Sequence, residues 1–293
     1  MRRRSSSGSN SLTKAKHQVD AKTFALLDAV SKAAGELGIE WMVTGAAGRV
    51  LLLEGVYGLP PGRATQDVDL GIMVESWERY QALVEKLCRE NDFRPDPKQQ
   101  QRIRLGDDGM LDLVPFGGIE SGDRLIRWPP ERDFVMSVIG FREAHADAVE
   151  VKLAGLTVPV VSPVGLMMLK LIAWNERHIA KPRRDAADLA YVLRHFSKIL
   201  TEAVVLGEYY DVVEASGYDI DFAANRVLGR RIAVLAQEDT RLYLSGLLEK
   251  QLREGIDSPL VREIGEQMRG QEMERINDIL QSLKAGFVEG ANK

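Results

Sequence analysis

Alternation of apolar and polar positions is clearest in "DVDLGIMV", residues 67–74. Here Val68, Leu70, Ile72 and Val74 share one parity, and Asp67, Asp69, Gly71 and Met73 share the other. A period of two predicts a strand and sets both carboxylates on one face. Upstream the period is helical: from Asp20 onward, Phe24, Leu27, Val30 and Leu37 fall near one stripe, with Gly38 as a stop. The short apolar run Ile39 to Val43 predicts a strand that turns at Thr44-Gly45, and "AAGRVLLLEGVYG" predicts a helix starting directly after that glycine. "WERYQALVEKLCREN" has a helical period. Arg102 to Leu105 reads as a strand, and "MLDLVPF" reads as another across the turn residues Gly106 to Gly109, interrupted by Asp112.

Further along, "AVEVKLAGLTVPVVS" alternates on both sides of Ala154-Gly155 and predicts a hairpin. "PVGLMMLKLIAWNERH" follows as a helix with Ser162 as N-cap and Pro163 in its first turn. "KPRRDAADLAYVLRHF" reads as a basic loop and another helix, and beyond about Leu200 the period is helical almost throughout. Strands first and helices afterwards predict an α+β fold. The expected organisation is a disordered tail over residues 1–19, an α/β unit over 20–160 and a helical unit over 161–293 that packs across it and completes the site.

Composition narrows the function. The chain has 293 residues, 45% of them hydrophobic, and a formal charge of -4, which argues against a protein that coats nucleic acid by bulk electrostatics. A single cysteine, Cys88, excludes an intramolecular disulfide and a Cys-rich zinc site and suits a reducing compartment. No apolar run reaches the roughly 20 residues that cross a bilayer, and the opening "MRRRSSSGSN" lacks the hydrophobic stretch of a secretory signal. The expected location is the cytoplasm, with no membrane partner. His17, His145, His178 and His195 show no metal-ligand spacing, and neither a G-x-S-x-G elbow nor a Walker A lysine motif occurs. Trp41 and Trp174 are expected in the core or a pocket wall.

The paired aspartates carry the candidate chemistry. Like charges at i and i+2 on a strand repel in a partly buried site unless a cation or a shared proton neutralises them. Magnesium suits this arrangement, because it takes oxygen ligands and is commonly held by one or two carboxylates together with substrate phosphates. Asp112, on a separate strand, is the candidate third ligand. Two ions about 3.5 to 4 Å apart can clamp an in-line phosphoryl displacement, and backbone N–H groups at the turn Thr44-Gly45-Ala46 can cradle phosphates. The blander alternative is a D-x-D at a strand edge whose carboxylates simply face water.

The segments "WMVTGAAGRVLL", "RATQDVDLGI", "MLDLVPF", "VPVVSPVGLMMLKLIAWNER" and "KPRRDAADLAYVL" together resemble the nucleotidyltransferase superfamily with the DNA polymerase β-like fold. More narrowly, they resemble the AbiEii/AbiGii-type toxins. The resemblance implies a nucleotidyltransferase domain with a mixed sheet, followed by a helical C-terminal domain. It also implies an enzyme that moves a nucleoside monophosphate from an NTP to a hydroxyl of a tRNA or protein, using Mg2+, with an antitoxin as a possible partner. Asp67, Asp69 and Asp112 would be the metal ligands, and Thr44, Gly45 and Ala46 the phosphate turn; the family's usual Ser or Thr after the glycine is here Ala46. Lys170 matches the family's helical lysine, with Arg177 on the same face, and Arg184, Asp185, Asp188 and Leu189 match its R-D-x-x-D-L element. Lys170 would contact the triphosphate, Asp185 and Asp188 would form the second half of the active site, and Arg177 would bind nucleotide. Arg63 and Thr65 match an R-x-T lead-in that orients the D-x-D strand or contacts nucleotide.

Alternatives remain at this stage. The second cluster could be a helix-to-helix salt bridge, Asp185 could be an N-cap, and Arg177, Lys181, Arg183 and Arg184 could form a solvated basic face. The whole could be a small-molecule-modifying nucleotidyltransferase, or a non-catalytic module that binds nucleotide or a partner.

Overall fold

The computed structural model describes residues 13–14, 19–107, 109–200 and 207–292. Of the expected tail, only Thr13–Lys14 (β1) and Val19 onward fall among them; residues 1–12 and 15–18 lie outside the described residues.

Helix α1 (Ala21–Leu37) is opened by Asp20, whose carboxylate accepts from the Thr23 N–H, and closed by Gly38 in the left-handed region at φ 60°. Strand β2 (Glu40–Thr44) runs into α2 (Gly45–Arg49), which continues as a π-helical stretch over Val50–Val56. The helix expected there therefore widens after one turn. Strand β3 (Asp67–Val74), helix α3 (Trp77–Asn91), and strands β4 (Phe93–Pro95), β5 (Arg102–Leu105) and β6 (Gly109–Gly117) follow. Next come the small strands β7 (Leu125–Arg127) and β8 (Val135–Ser137), helix α4 (Phe141–Ala146), and the hairpin β9 (Val149–Leu153) and β10 (Leu156–Val160). Strands β4, β7 and β8 and helix α4 were not visible in the sequence pattern, because three to six residues are too few to show a period.

The main sheet has eight strands in the order β1-β9-β10-β2-β3-β6-β5-β4. It is mixed: β1/β9, β10/β2 and β3/β6 are parallel, and the other neighbours are antiparallel. The parallel register of β3 and β6 pairs Asp69 with Asp112, and the antiparallel register of β2 pairs Thr44 with Asp69. The glycine turn, the D-x-D strand and the isolated aspartate thus meet at one end of three adjacent central strands.

The helical half comprises α5 (Pro163–Arg177), α6 (Arg184–Ile199), α7 (Tyr210–Ala215), α8 (Ile220–Leu235), α9 (Glu238–Arg253), α10 (Pro259–Gln267) and α11 (Met273–Ala291). Ser162 caps α5 by accepting from the Gly165 N–H, with Pro163 in the first turn. Helices α8 and α11 pack with backbones nearly touching: a Cβ at Gly229 or Gly286 would overlap the facing main chain. One cluster of buried side chains runs from Leu26 and Leu70 through Met167 and Leu189 to Leu280, so the sheet and the helices share a core. No helix among the described residues is long and apolar enough to cross a membrane.

Candidate active site

Because side chains alternate along β3, Asp67 and Asp69 emerge on one face, and Asp112 joins them from β6. Each of the three offers a carboxylate oxygen within 4.8 Å of the others, an arrangement that can hold a metal ion. Gly45, at φ 60°, lies directly over Asp69: a Cβ there would overlap its carboxylate. Only glycine lets the α2 turn approach the aspartate this closely.

The electrostatics distinguish the three acids. Burial, and then the negative charges of Asp67 and Asp112, push the Asp69 carboxyl up to about 6 despite Lys170 and Arg184 nearby. Burial acts against ionisation of Asp67 as well, but the Thr65 hydroxyl, donating at 2.7 Å, and Arg184, at 3.1 Å, outweigh it and hold Asp67 below its ordinary value. Arg102 on β5 grips both oxygens of Asp112, at 2.6 and 2.7 Å, and reaches Asp67 at 3.3 Å. Two guanidinium groups therefore stand where the carboxylates need positive charge, which is the donor set and charge deficit that a divalent cation answers.

The second cluster sits between α5 and α6. Lys170, buried on α5, lies 3.0 Å from Asp185 and 2.7 Å from Asp188. Arg177, two turns along α5, forks onto both oxygens of Asp185 at 2.7 and 2.8 Å. Burial opposes the charge on Lys170, yet Asp188 and Asp185 raise its pKa above the ordinary lysine value. Burial likewise opposes the charge on Asp185, and Arg177 and Lys170 bring that carboxyl far below the usual range. Asp188 also accepts from Arg49 Nε at 3.1 Å. Lys170 and Arg177 both act on the charge of Asp69, so the two clusters form one electrostatic unit.

The N-cap alternative for Asp185 fails: Arg183, in the left-handed region, occupies that position, and Asp185 is the second residue of α6 with its carboxylate committed to Arg177 and Lys170. The solvated basic face fails for two of its four members: Arg177 holds Asp185 and Arg184 reaches Asp67, whereas Arg183 is exposed and makes only a surface pair with Glu266. Thr44 and Ala46 are buried, and the Thr44 hydroxyl does not cap α2, so any contact of this turn with phosphate falls to the backbone. The Thr65 hydroxyl donates to the Asp67 carboxylate at 2.7 Å. The Arg63 carbonyl accepts from Arg49, while its side chain turns to a cavity against α6. Trp41 and Trp174 are both core residues.

Arg102 and Arg49 escaped the sequence reading. For Arg102 a signal was present: a tight turn pairing Leu105 with Gly109 fixes the hairpin register and sets Arg102 opposite Asp112. For Arg49 none was, since a lone arginine early in an apolar helix gives no hint that it is almost fully buried.

A glycine turn over a D-x-D strand, a third aspartate on the parallel neighbour and a buried lysine behind them define a nucleotidyltransferase. The chain belongs to the nucleotidyl transferase AbiEii toxin family of type IV toxin–antitoxin systems, whose model matches residues 51–282. No curated protein matches the chain. Among solved structures it is similar to the antibiotic-resistance factor ANT(2'')-Ia, with 17% identity over 68% of this chain and 99% of that one and a TM-score of 0.40. It is also similar to an antigenic nucleotidyltransferase-like protein from Paracoccidioides brasiliensis, with 15% identity over 71% and 94% of the two chains and a TM-score of 0.42. A third is the Thermotoga maritima CCA-adding enzyme complexed with tRNA, with 13% identity over 94% and 83% and a TM-score of 0.27. Likeness this distant says nothing about substrate.

Proposed function

We propose that the chain transfers a nucleoside monophosphate from an NTP to a hydroxyl of an RNA or protein acceptor, in a magnesium-dependent reaction, as the toxin of a toxin–antitoxin pair. The observation that carries this reading is the convergence of Asp67, Asp69 and Asp112 under a glycine turn, with Lys170 and Arg177 close enough to act on the same charges. In the reaction the acceptor oxygen forms a bond to the α-phosphorus, the bond from that phosphorus to the β-phosphate oxygen breaks, and pyrophosphate leaves. The acceptor proton passes to a carboxylate of the triad. Asp67, Asp69 and Asp112 would hold the divalent ions, which when bound supply Lewis-acid stabilisation of the phosphoryl oxygens.

The chain's own residues position and balance charge. Thr65 fixes the rotamer of Asp67, Gly45 leaves room for Asp69, and Arg102 orients Asp112 through both of its oxygens. Lys170 and Arg177 contribute positive potential behind the triad, where charge grows on the transferred group. Arg184 bridges from α6 to Asp67 and ties the helical half to the site.

The test is incubation with each labelled NTP, Mg2+ and total RNA or protein. Label should appear in one macromolecular fraction with the wild-type chain and vanish with Asp67→Ala. Wild-type incorporation by Asp67→Ala would contradict the assignment, and label in a small molecule alone would favour a small-molecule-modifying enzyme.

A further inference from the structure

Arg49 stands where α2 gives way to the π-helical stretch, and it is 1% exposed. A step of five residues turns about 140° around an α-helix, so Arg49 and Glu54 would face apart on a regular one. The wider stretch brings Glu54 round to the guanidinium, and the two pair. Three further contacts fix the group. Its other terminal nitrogen donates to the Arg63 carbonyl, its central carbon stands 4.8 Å from the centre of the Tyr191 ring, and Gly62 closes over Nη1 so tightly that a Cβ there would lie 2.2 Å away. Gly62 in turn donates its N–H to Glu54 at 3.0 Å. A guanidinium gripped by a carboxylate, a carbonyl and an aromatic face is a rigid point in the fold.

Its remaining donor reaches toward the active site. Arg49 Nε donates to Asp188 Oδ1 at 3.1 Å, and among the described residues this is the only hydrogen bond to that carboxylate. Asp188 Oδ2 lies 2.7 Å from the Lys170 ammonium but off the direction of a hydrogen bond, whereas Lys170 donates to Asp185 at 3.0 Å. Asp188 is thus pinned on one oxygen by Arg49 and leans on Lys170 with the other. The Asp188 side chain is 1% exposed, so solvent has no direct access to replace the Nε–H. Released from Arg49, the carboxylate would turn to take a hydrogen bond from Lys170, drawing the ammonium off Asp185 and neutralising it more fully.

We propose that Arg49 is a positioning residue for the transfer reaction: through Asp188 it sets where the Lys170 ammonium stands behind the triad, without itself touching donor or acceptor. This rests on the nucleotidyltransferase reading. A group that stabilises charge growing in the transition state is sensitive to place, and a shift of about 1 Å can cost about a hundredfold in rate.

The experiment compares two variants of the full chain. Arg49→Lys keeps the charge and loses the planar fork. Tyr191→Phe removes the hydrogen bond that the Tyr191 hydroxyl donates to the Pro60 carbonyl at 2.8 Å, but keeps the ring beside Arg49. Thermal melting gives the folded fraction, and label incorporation over a range of NTP concentrations, in the fraction that the wild type labels, gives kcat and KM per folded molecule. Arg49→Lys should lose roughly tenfold or more in kcat with KM for the NTP within about twofold, the pattern of an interaction felt only in the transition state. Tyr191→Phe should melt lower and keep both constants. A wild-type kcat in folded Arg49→Lys overturns the proposal, as does an equal loss of kcat in Tyr191→Phe, which would make any loosening of this segment sufficient. Where Arg49→Lys melts below the assay temperature, Glu54→Ala loosens the same guanidinium from a partly exposed position; kcat should then fall at constant KM, and an unchanged kcat overturns the proposal. A wild-type chain that labels no fraction with any NTP overturns the nucleotidyltransferase reading and this assignment with it.

Discussion

Asp69 shows at a single residue how function and stability oppose each other. Its carboxyl is pushed from the ordinary 3.8 up to about 6, so the folded chain holds that proton more tightly than the unfolded chain does. Without metal, stability therefore falls as pH rises across about 4 to 6 and stays at the lower level above that window. Asp69→Asn removes the penalty, on the order of 1–3 kcal/mol. It should raise the melting temperature of the EDTA-treated protein at neutral pH, flatten the dependence between pH 4 and 6, and abolish transfer. Calorimetry across that range checks it, and a lower melting temperature at pH 7 would show that the carboxylate is better compensated than its surroundings indicate. The three aspartates were legible in the sequence because a charge in an apolar alternation is conspicuous. The Gly45 turn was legible from the apolar run that ends on it, whereas Thr65 was legible only by resemblance, because hydroxyls are common in loops for many reasons.

At the scale of elements, α5 and α6 are clamped by buried ions. Lys170→Met leaves Asp185 to Arg177 and Asp188 to Arg49, and removing one member of such a network costs about 3 kcal/mol. The urea midpoint should fall accordingly, and an unchanged midpoint would mean the clamp is slack. Its pH range follows from the directions of the shifts. Asp185 is depressed, so its contribution is present above its unfolded 3.8 and lost as pH falls through the folded value. Lys170 is raised, so its contribution is present below its unfolded 10.5 and lost as pH climbs beyond. Stability from this clamp should be level from about pH 4 to 10. On the sheet, Arg102 plays the matching role from β5. Arg102→Gln removes a cation that competes at the triad, so calorimetric titration with Mg2+ or Mn2+ should show several-fold tighter binding, and the metal-free melting temperature should drop. Weaker metal binding would instead mean that the arginine mainly holds Asp112 in place. The long elements and the hairpins were readable from their periods, whereas the pairing of basic side chains on α5 and α6 was not: a run such as "KPRRD" looks solvated until the fold places Asp67 beside Arg184.

For the whole molecule, the expected division near residue 160 follows the change from strand period to helical period. The buried cluster is continuous from the sheet into the helices, and Arg49 to Asp188, Arg184 to Asp67 and Thr240 to Glu143 bind residues of the first 160 to residues beyond them. Scanning calorimetry should therefore show one cooperative transition; two resolved transitions would establish separable units. The parallel alignment of β3 with β6 has a further consequence for how such a chain can change over generations. Because side chains alternate, inserting or deleting one residue inside either strand reverses every position beyond it, sending an aspartate into the core and an apolar side chain to the triad. Length variation in the lineage must therefore accumulate in connections such as residues 96–101, while the two strands can drift only by substitution.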